Sequence, residues 1–176
     1  MATIALFGGS FDPPHLGHVY AALHARVVGL ADAVWVLPAA RHPYAKDLRP
    51  WEQRWELCRL AFSDLPFVEL RDDERHLSGY TVDLVEALAR AHPGHAWLLV
   101  GGTDTAVDLP NWKRGAELAR LVRVHAVPRG GLDSHPGALP AISSSLVRRL
   151  LAAGDDVGGL LPSRVAQRIA AEGWYR

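Results

Sequence analysis

Residues 8–18 read GGSFDPPHLGH and directly follow a short apolar stretch, residues 3–7, that has the composition of a buried strand. Two glycines after a strand allow the backbone to turn sharply and to approach a ligand closely. A helical period of apolar residues begins at His15, and the first turn of a helix presents free N–H groups that attract anions. The segment therefore predicts a strand, a tight loop and a helix arranged to hold a phosphate group.

Strand candidates alternate with helical periods along the whole chain. The strand candidates are residues 3–7, 33–37, 67–70, 96–100 and 122–127. The predicted helices are residues 15–29, 49–62, 81–91, 143–153 and 162–172. This alternation is typical of an α/β fold in which a doubly wound parallel sheet is covered by helices on both faces, and 176 residues suit a single domain, residues 1–176. Ligands of such sheets bind beyond the carboxyl ends of the strands, where strand order reverses.

Local signals predict the packing of one helix and the start of another. The helix predicted over residues 15–29 has one apolar face, made of Val19, Ala22, Leu23 and Val27. We expect this face to pack on the sheet. For the helix predicted over residues 81–91, Thr81 is the candidate N-cap.

Composition and charge exclude several classes of protein. The chain has 19 Lys and Arg residues against 19 Asp and Glu residues, and a zero net charge disfavours a nucleic-acid-binding protein. Its single cysteine, Cys58, excludes a disulfide framework. No basic side chain precedes Arg26, which disfavours a secretory signal, and no apolar run approaches the ~20 residues that span a bilayer. We expect a cytoplasmic protein without nucleic-acid or membrane partners, and no pattern indicates its oligomeric state.

Two histidines stand at the predicted start of the first helix. The spacing of His15 and His18 places both imidazoles on one face of the first helical turn. Beside helix N–H groups, two imidazoles can hold phosphate oxygens and stabilise charge that develops on them. Gly17 between them is expected to leave room for a bulky ligand. A surface pair or a partial metal site are the alternatives, but a metal site needs further ligands, and none stands nearby at a recognisable spacing.

The segment GGSFDPPHLGH resembles the signature loop of the nucleotidyltransferase superfamily with the T/H-x-G-H motif. That superfamily includes the nicotinate and nicotinamide mononucleotide adenylyltransferases, the phosphopantetheine adenylyltransferases and the cytidylyltransferases. The resemblance implies a Rossmann-like nucleotidyltransferase fold in which His15 and His18 are catalytic. It also implies that ATP binds at Gly8, Gly9, Ser10 and Phe11.

A second segment, ISSSLVR over residues 142–148, resembles the superfamily's second motif, I-S-S-[TS]-x-[IV]-R. Ser143 and Ser144 at a helix start supply hydroxyl and backbone donors, and Arg148, one turn along, can fork onto phosphate oxygens. Taken alone, the segment is more typical of a serine N-cap with a solvated arginine. With the first loop, it implies that Ser143 and Ser144 bind ATP and that Arg148 is catalytic.

The two motifs together imply adenylyl transfer. A phosphate of the second substrate attacks the α-phosphorus of ATP in line, and pyrophosphate leaves. Because a phosphate monoester is already ionised, no general base is required, and catalysis rests on positioning and charge stabilisation. Mg²⁺ is expected with ATP, held mainly by the triphosphate and water, and no protein metal site is predicted.

Two further segments, one after the fourth predicted strand and one at the start of the helix predicted over residues 81–91, resemble those of the bacterial nicotinate mononucleotide adenylyltransferases. GGTD at residues 101–104 resembles their G-x-D element, which implies that Gly101 and Asp104 bind ATP; an N-cap is the alternative for Asp104. GYTVD at residues 79–83 resembles their S-Y-T-x-D-T segment, although a glycine and a leucine replace its Ser and its second Thr. This likeness implies that the mononucleotide binds at Tyr80 and Thr81.

Three loop residues complete the resemblance. LPNW at residues 109–112 resembles the family's tryptophan segment, which implies that Trp112 stacks on the pyridine ring; a packing anchor for the next helix is the alternative. The loop ending at Lys46 resembles a phosphate clamp, and Arg129 resembles an arginine near the nucleotide, so both are expected to contact ATP. A solvated lysine is the alternative for Lys46, and the roles of His42 and Lys113 stay open.

The resemblance covers the whole chain and implies adenylyl transfer from ATP to nicotinate mononucleotide, giving deamido-NAD and pyrophosphate in NAD biosynthesis. An enzyme that uses nicotinamide mononucleotide, or both mononucleotides, is the closest alternative. A phosphopantetheine adenylyltransferase and a catalytically inactive nucleotide-binding module are the others.

Overall fold

The computed structural model describes residues 1–41, 47–128, 138 and 141–176. Its strands form one parallel sheet and are β1 (Thr3–Gly9), β2 (Ala33–Pro38), β3 (Val68–Leu70), β4 (Ala96–Gly102) and β5 (Val122–Val127). The order across the sheet is β3-β2-β1-β4-β5, so the direction of winding reverses between β1 and β4. The predicted doubly wound parallel sheet is confirmed.

Seven α-helices lie in the described part of the chain. They are α1 (Leu16–Val27), α2 (Trp51–Phe62), α3 (Thr81–Ala91), α4 (Thr103–Asp108), α5 (Gly115–Leu121), α6 (Ser144–Ala153) and α7 (Ser163–Glu172). Sequence reasoning missed α4 and α5, because six or seven residues are too few to show a helical period. It also missed two 3-10 turns, Asp73–His76 and Leu109–Asn111. Among the described helices, none combines the length and the apolar character that a membrane span requires.

The sheet separates two apolar layers. Alternate side chains of a strand point to opposite faces, so Ala5 and Phe7 enter one layer and Ile4 and Leu6 the other. The first layer is closed by α1, α2, α6 and α7, and the second by α3 and α5. Cys58 lies in the first layer and is fully buried.

The predicted inner face of α1 is correct at Ala22 and wrong at Val27. The buried residues of α1 are Ala21, Ala22 and Ala25, whereas Val27 is 67% exposed. Small side chains let a helix lie close to a sheet. The contact of α1 is therefore made by alanines and not by the larger residues of the predicted face. The larger residues Val19 and Leu23 are only partly buried.

Two boundaries also differ from the prediction. Strand β1 does not end at Phe7 but continues through Gly8 and Gly9, which pair with Leu37 and Pro38 of β2. Helix α3 has Tyr80, not Thr81, as its N-cap residue. The preceding turn is organised by Ser78, whose hydroxyl accepts the N–H of Tyr80 at 3.2 Å and donates to the carboxylate of Asp83.

Candidate active site

The loop after β1 brings the two predicted histidines together. His15 is the N-cap residue of α1, and its backbone N–H donates to Nδ1 of His18 at 3.1 Å. The two ring centroids are 3.7 Å apart, so the prediction that the imidazoles share one face is confirmed. Because Nδ1 of His18 accepts this bond, a neutral His18 carries its proton on Nε2 and can donate it to a ligand.

Gly17 serves the packing of the loop rather than a ligand. A Cβ at this position would lie 3.0 Å from the ring of His15 and 3.7 Å from Cβ of Ile142. Gly17 lines neither of the cavities described below. The space beside Gly17 is filled by the imidazole of His15, so the structure itself gives the glycine a packing role.

Buried polar groups anchor the loop that follows β1. The Asp12 carboxylate, 2% exposed, accepts the Tyr175 hydroxyl at 2.6 Å and the backbone N–H of Arg49 at 3.2 Å. The buried guanidinium of Arg54 donates to the carbonyl oxygen of Ser10 at 2.8 Å. Hydrogen bonds to charged groups are stronger than neutral ones, so these contacts fix the loop firmly. Sequence reasoning missed them because no local pattern links position 12 to position 175.

The two motifs are joined by direct hydrogen bonds. The hydroxyl of Ser144 donates to the carbonyl oxygen of Pro13 at 2.9 Å, across 131 positions of the chain. The guanidinium of Arg148 donates to the carbonyl oxygen of Asp12 at 2.5 Å. Ser143 is the N-cap of α6, and its hydroxyl accepts the N–H of Leu146 at 3.1 Å. The hydroxyls of Ser143 and Ser144 therefore form hydrogen bonds within the protein. The groups available to a phosphate here are the backbone N–H groups at the N-terminus of α6.

A cavity of about 370 Å³, here called the smaller cavity, lies between the two motifs. Its wall is made of polar side chains and the start of α6, including Ser10, His15, His18, Asp47, Ser143, Ser144, Ser145 and Arg148. Phe11 also lines it, with a positive φ of 47°. Imidazole, guanidinium and helix N–H donors in one small space are suited to bind a polyphosphate.

A cavity of about 550 Å³, here called the larger cavity, opens beyond the carboxyl ends of β1 and β4. Its apolar wall includes Leu37, Val82, Leu84, Leu99 and Leu118. The predicted site residues that line it are Gly8, Gly9, Ser10, His18, Tyr80, Thr81, Gly101, Asp104 and Trp112. The two cavities share Ser10 and His18. They adjoin where strand order reverses, which is where the sequence placed the ligand.

The predicted site residues divide between the two cavities. Gly101 and Asp104 lie in the larger cavity with Tyr80, Thr81 and Trp112, and not in the smaller one with Arg148. The predicted ATP contacts Lys46 and Arg129, as well as His42, lie outside the described residues.

Trp112 stands at the rim of the larger cavity and is half-buried. Its Nε1 donates to the carboxylate of Asp108 at 3.3 Å, and the ring packs against the second apolar layer. The stacking platform and the packing anchor are therefore compatible roles. The ammonium of the next residue, Lys113, lies 4.0 Å from the ring centroid of Tyr80 and 3.2 Å from the carboxylate of Asp83.

Two acidic residues of the larger cavity, Glu74 and Asp108, were not predicted. Glu74 lies on the 3-10 turn after β3, is 7% exposed and lines the cavity. Burial, with a smaller contribution from Asp73, raises the pKa of its carboxyl to about 7. A buried acid in a cleft is a recognised signal of a functional site, but the sequence DDERH looks like an exposed charged loop.

Comparisons with known proteins show the family and the fold of the chain. The cytidylyltransferase-like family model matches residues 6–150. A protein of Anaeromyxobacter sp. (strain K) that carries the name nicotinate-nucleotide adenylyltransferase is 43% identical, over 98% of this chain and 96% of the relative. A solved structure of a Vibrio parahaemolyticus protein described by the same name has 25% identity and a TM-score of 0.78, and the match covers 100% and 96% of the two chains.

A second solved structure supports the fold. It is the nicotinic acid mononucleotide adenylyltransferase of Plasmodium falciparum complexed with NaAD, with 20% identity and a TM-score of 0.84. The match covers 99% of this chain and 98% of the Plasmodium chain.

Proposed function

This chain belongs to the cytidylyltransferase-like family and, within it, to the nicotinate-nucleotide adenylyltransferases, and from that premise we propose that it joins ATP and nicotinate mononucleotide into deamido-NAD and pyrophosphate. It is a nucleotidyltransferase whose substrates are small nucleotides, and the product belongs to NAD biosynthesis. The observation that carries the proposal is the wall that the two cavities share at His18.

The smaller cavity holds the triphosphate of ATP in this proposal. The start of α6 at Ser143 and Ser144 supplies N–H donors, and Arg148, oriented by its bond to the Asp12 carbonyl, faces the same space. The backbone of Gly8 and Gly9 and the side chains of Ser10 and Phe11 line the approach between the cavities. On the resemblance alone, Lys46 and Arg129 complete the triphosphate contacts.

The larger cavity holds the mononucleotide and the ribose of ATP. The pyridine ring stacks on Trp112, with Tyr80 and Thr81 beside it. Asp104 and Gly101 stand at the end of β4, where a carboxylate can accept hydrogen bonds from the ribose hydroxyls of ATP. The phosphate of the mononucleotide then meets the α-phosphate of ATP at the shared wall.

The chemical step follows from this placement. An ionised phosphate oxygen of the mononucleotide attacks the α-phosphorus, the bond to the bridging oxygen breaks, and pyrophosphate leaves with its electron pair. The N–H at Nε2 of His18 donates to the phosphoryl oxygen on which negative charge grows, and His15 supports that ring from 3.7 Å away. No side chain needs to remove a proton, because the attacking oxygen is already ionised.

We propose that Mg²⁺ enters with ATP as part of the substrate. Within the described ranges, no three His, Cys, Asp or Glu side chains are close enough together to hold a metal ion. Among the described residues that line the smaller cavity, Asp47 is the one with a carboxylate. Such a wall suits an ion that keeps its triphosphate and water ligands, as Mg²⁺ commonly does.

The test is the identity of the products. Wild-type protein is mixed with ATP, Mg²⁺ and one acceptor at a time: nicotinate mononucleotide, nicotinamide mononucleotide or phosphopantetheine. We expect equal amounts of deamido-NAD and pyrophosphate with nicotinate mononucleotide, measured by mass spectrometry and a coupled pyrophosphate assay. Turnover with phosphopantetheine only, or no turnover with any of the three acceptors, would refute the proposal.

A further inference from the structure

The segment after α7 contacts the loop that carries the two histidines. Tyr175 is 5% exposed and packs in the first apolar layer, and its hydroxyl donates to the carboxylate of Asp12 at 2.6 Å, across 163 positions of the chain. Burial, together with the Asp12 carboxylate, raises the pKa of the Tyr175 hydroxyl. The hydroxyl therefore stays protonated and remains a donor to Asp12.

Asp12 is bonded to both motifs of the smaller cavity. Its carboxylate also accepts the backbone N–H of Arg49 at 3.2 Å, and its carbonyl oxygen accepts the guanidinium of Arg148 at 2.5 Å. Three positions further along the chain stands His15, whose backbone N–H donates to Nδ1 of His18 at 3.1 Å. The position of Asp12 therefore affects the guanidinium of the second motif and both imidazoles of the first.

The chain between Asp12 and His15 has little freedom. Both intervening residues, Pro13 and Pro14, are prolines, whose rings fix the φ angle. The carbonyl oxygen of Pro13 also accepts the hydroxyl of Ser144 at 2.9 Å, which ties this segment to the start of α6. A displacement of Asp12 is therefore transmitted to His15, because the two residues between them can adjust only slightly.

The backbone adopts an uncommon conformation on both sides of the bond between Tyr175 and Asp12. Tyr175 has a φ of 67°, and Phe11, directly before Asp12, has a φ of 47°. This region is unfavourable for residues other than glycine, so such a conformation persists only where the surrounding structure holds it. Conformations of this kind are concentrated at functional sites, which fits a contact that holds a catalytic loop.

Neither Tyr175 nor Asp12 lines the smaller or the larger cavity, so neither side chain is placed to touch a substrate. We propose that Tyr175 is a positioning residue, whose bond to the Asp12 carboxylate holds the two histidines and Arg148 where the reacting phosphates need them. This inference rests on the proposed function, because it assumes that those three side chains act on the transferred phosphoryl group. It gives a part in catalysis to a residue outside both motifs.

The variant Tyr175→Phe tests the inference, because it removes the hydroxyl and keeps the ring with its packing. The guanidinium of Arg49, which lies 4.7 Å from the centroid of this ring, keeps its contact as well. We expect kcat with nicotinate mononucleotide to fall about tenfold or more, since a small misplacement of catalytic groups lowers the rate strongly. KM for ATP and for the mononucleotide should each change less than about threefold, because the walls of both cavities are left intact.

The matched control is Tyr20→Phe. Tyr20 lies on α1, is 46% exposed and lines neither cavity, so this variant should follow wild type in kcat and in both KM values. Steady-state kinetics measures all three parameters, and circular dichroism shows whether each variant is folded at the assay temperature.

A double-mutant cycle with His18→Ala separates positioning from a loss of folded protein. A partly unfolded variant loses the same fraction of its activity whether or not the His18 side chain is present. A residue that acts through His18 loses most of its effect once that side chain is absent. We therefore expect Tyr175→Phe to lower kcat less than about threefold in the His18→Ala background, against about tenfold or more in wild type.

The outcomes separate this inference from the proposed function. A kcat of Tyr175→Phe within about twofold of wild type, or an equal loss in both backgrounds, overturns the role of Tyr175 while adenylyl transfer stands. If Tyr175→Phe does not fold, Asp12→Asn replaces it in the same cycle, because a carboxamide has one acceptor oxygen where the carboxylate uses two. An equal loss in both backgrounds then refutes the inference too. If wild type uses neither mononucleotide, the proposed function fails and the inference fails with it.

Discussion

The smaller and the larger cavity share His18 and Ser10, but they are built by different means. The smaller one is assembled from two short polar segments, joined by the bonds from Ser144 and Arg148 to the first loop. The larger one has an apolar floor of strand and helix residues and polar groups from several separate loops and helix ends. We infer that the first cavity supplies the chemistry common to the superfamily and that the second selects the acceptor.

The largest effect is expected from removing the His18 side chain, which lines both cavities. We expect His18→Ala to lower kcat about 10²–10³-fold, as the loss of one preorganised donor to a transition-state oxygen commonly does. Because the smaller cavity is proposed to act alike on every acceptor, kcat should fall by the same factor with both mononucleotides. Steady-state kinetics with each acceptor at saturating ATP measures this.

The control for His18→Ala is His76→Ala, which removes an exposed histidine that lines neither cavity. Thermal unfolding of both variants shows whether the fold is retained. An unchanged kcat of His18→Ala would show that His18 has no role in the mechanism. It would also contradict the inference that the two cavities have different roles.

A smaller effect is expected at Trp112 in the larger cavity. Trp112→Ala should raise KM for nicotinate mononucleotide about fivefold, since an aromatic stacking contact contributes about 1 kcal/mol. KM for ATP should change less than about twofold. Trp55→Ala is the matched control, because Trp55 stacks on Trp51 at 4.7 Å and lines neither cavity. Equal increases in both KM values would refute the stacking role.

The same comparison explains what could be predicted from the sequence. The sheet, five of the helices and the smaller cavity were readable, because strand and helix periods and two contiguous motifs encode them locally. His15, His18, Ser143, Ser144 and Arg148 all line that cavity as expected. The short helices α4 and α5 were not readable, since they are fixed by packing against the sheet rather than by a period.

The unpredicted parts of the site depend on distant contacts. Asp12 meets Tyr175 from the far end of the chain, and Glu74 is buried on a turn that contacts β2. Neither fact is visible in the neighbouring letters of the sequence. The packing role of Gly17 was missed for the same reason, because it depends on where the ring of His15 comes to rest.

The central claim is that the smaller cavity holds the triphosphate of ATP, the larger cavity holds the mononucleotide, and their phosphates react beside His18. A crystal structure of the protein with deamido-NAD bound tests it most directly. We predict the pyridine ring against Trp112 in the larger cavity, and an oxygen of the newly joined phosphates about 3 Å from Nε2 of His18. A pyridine ring outside the larger cavity, or phosphates beyond hydrogen-bond reach of His18, would contradict the account.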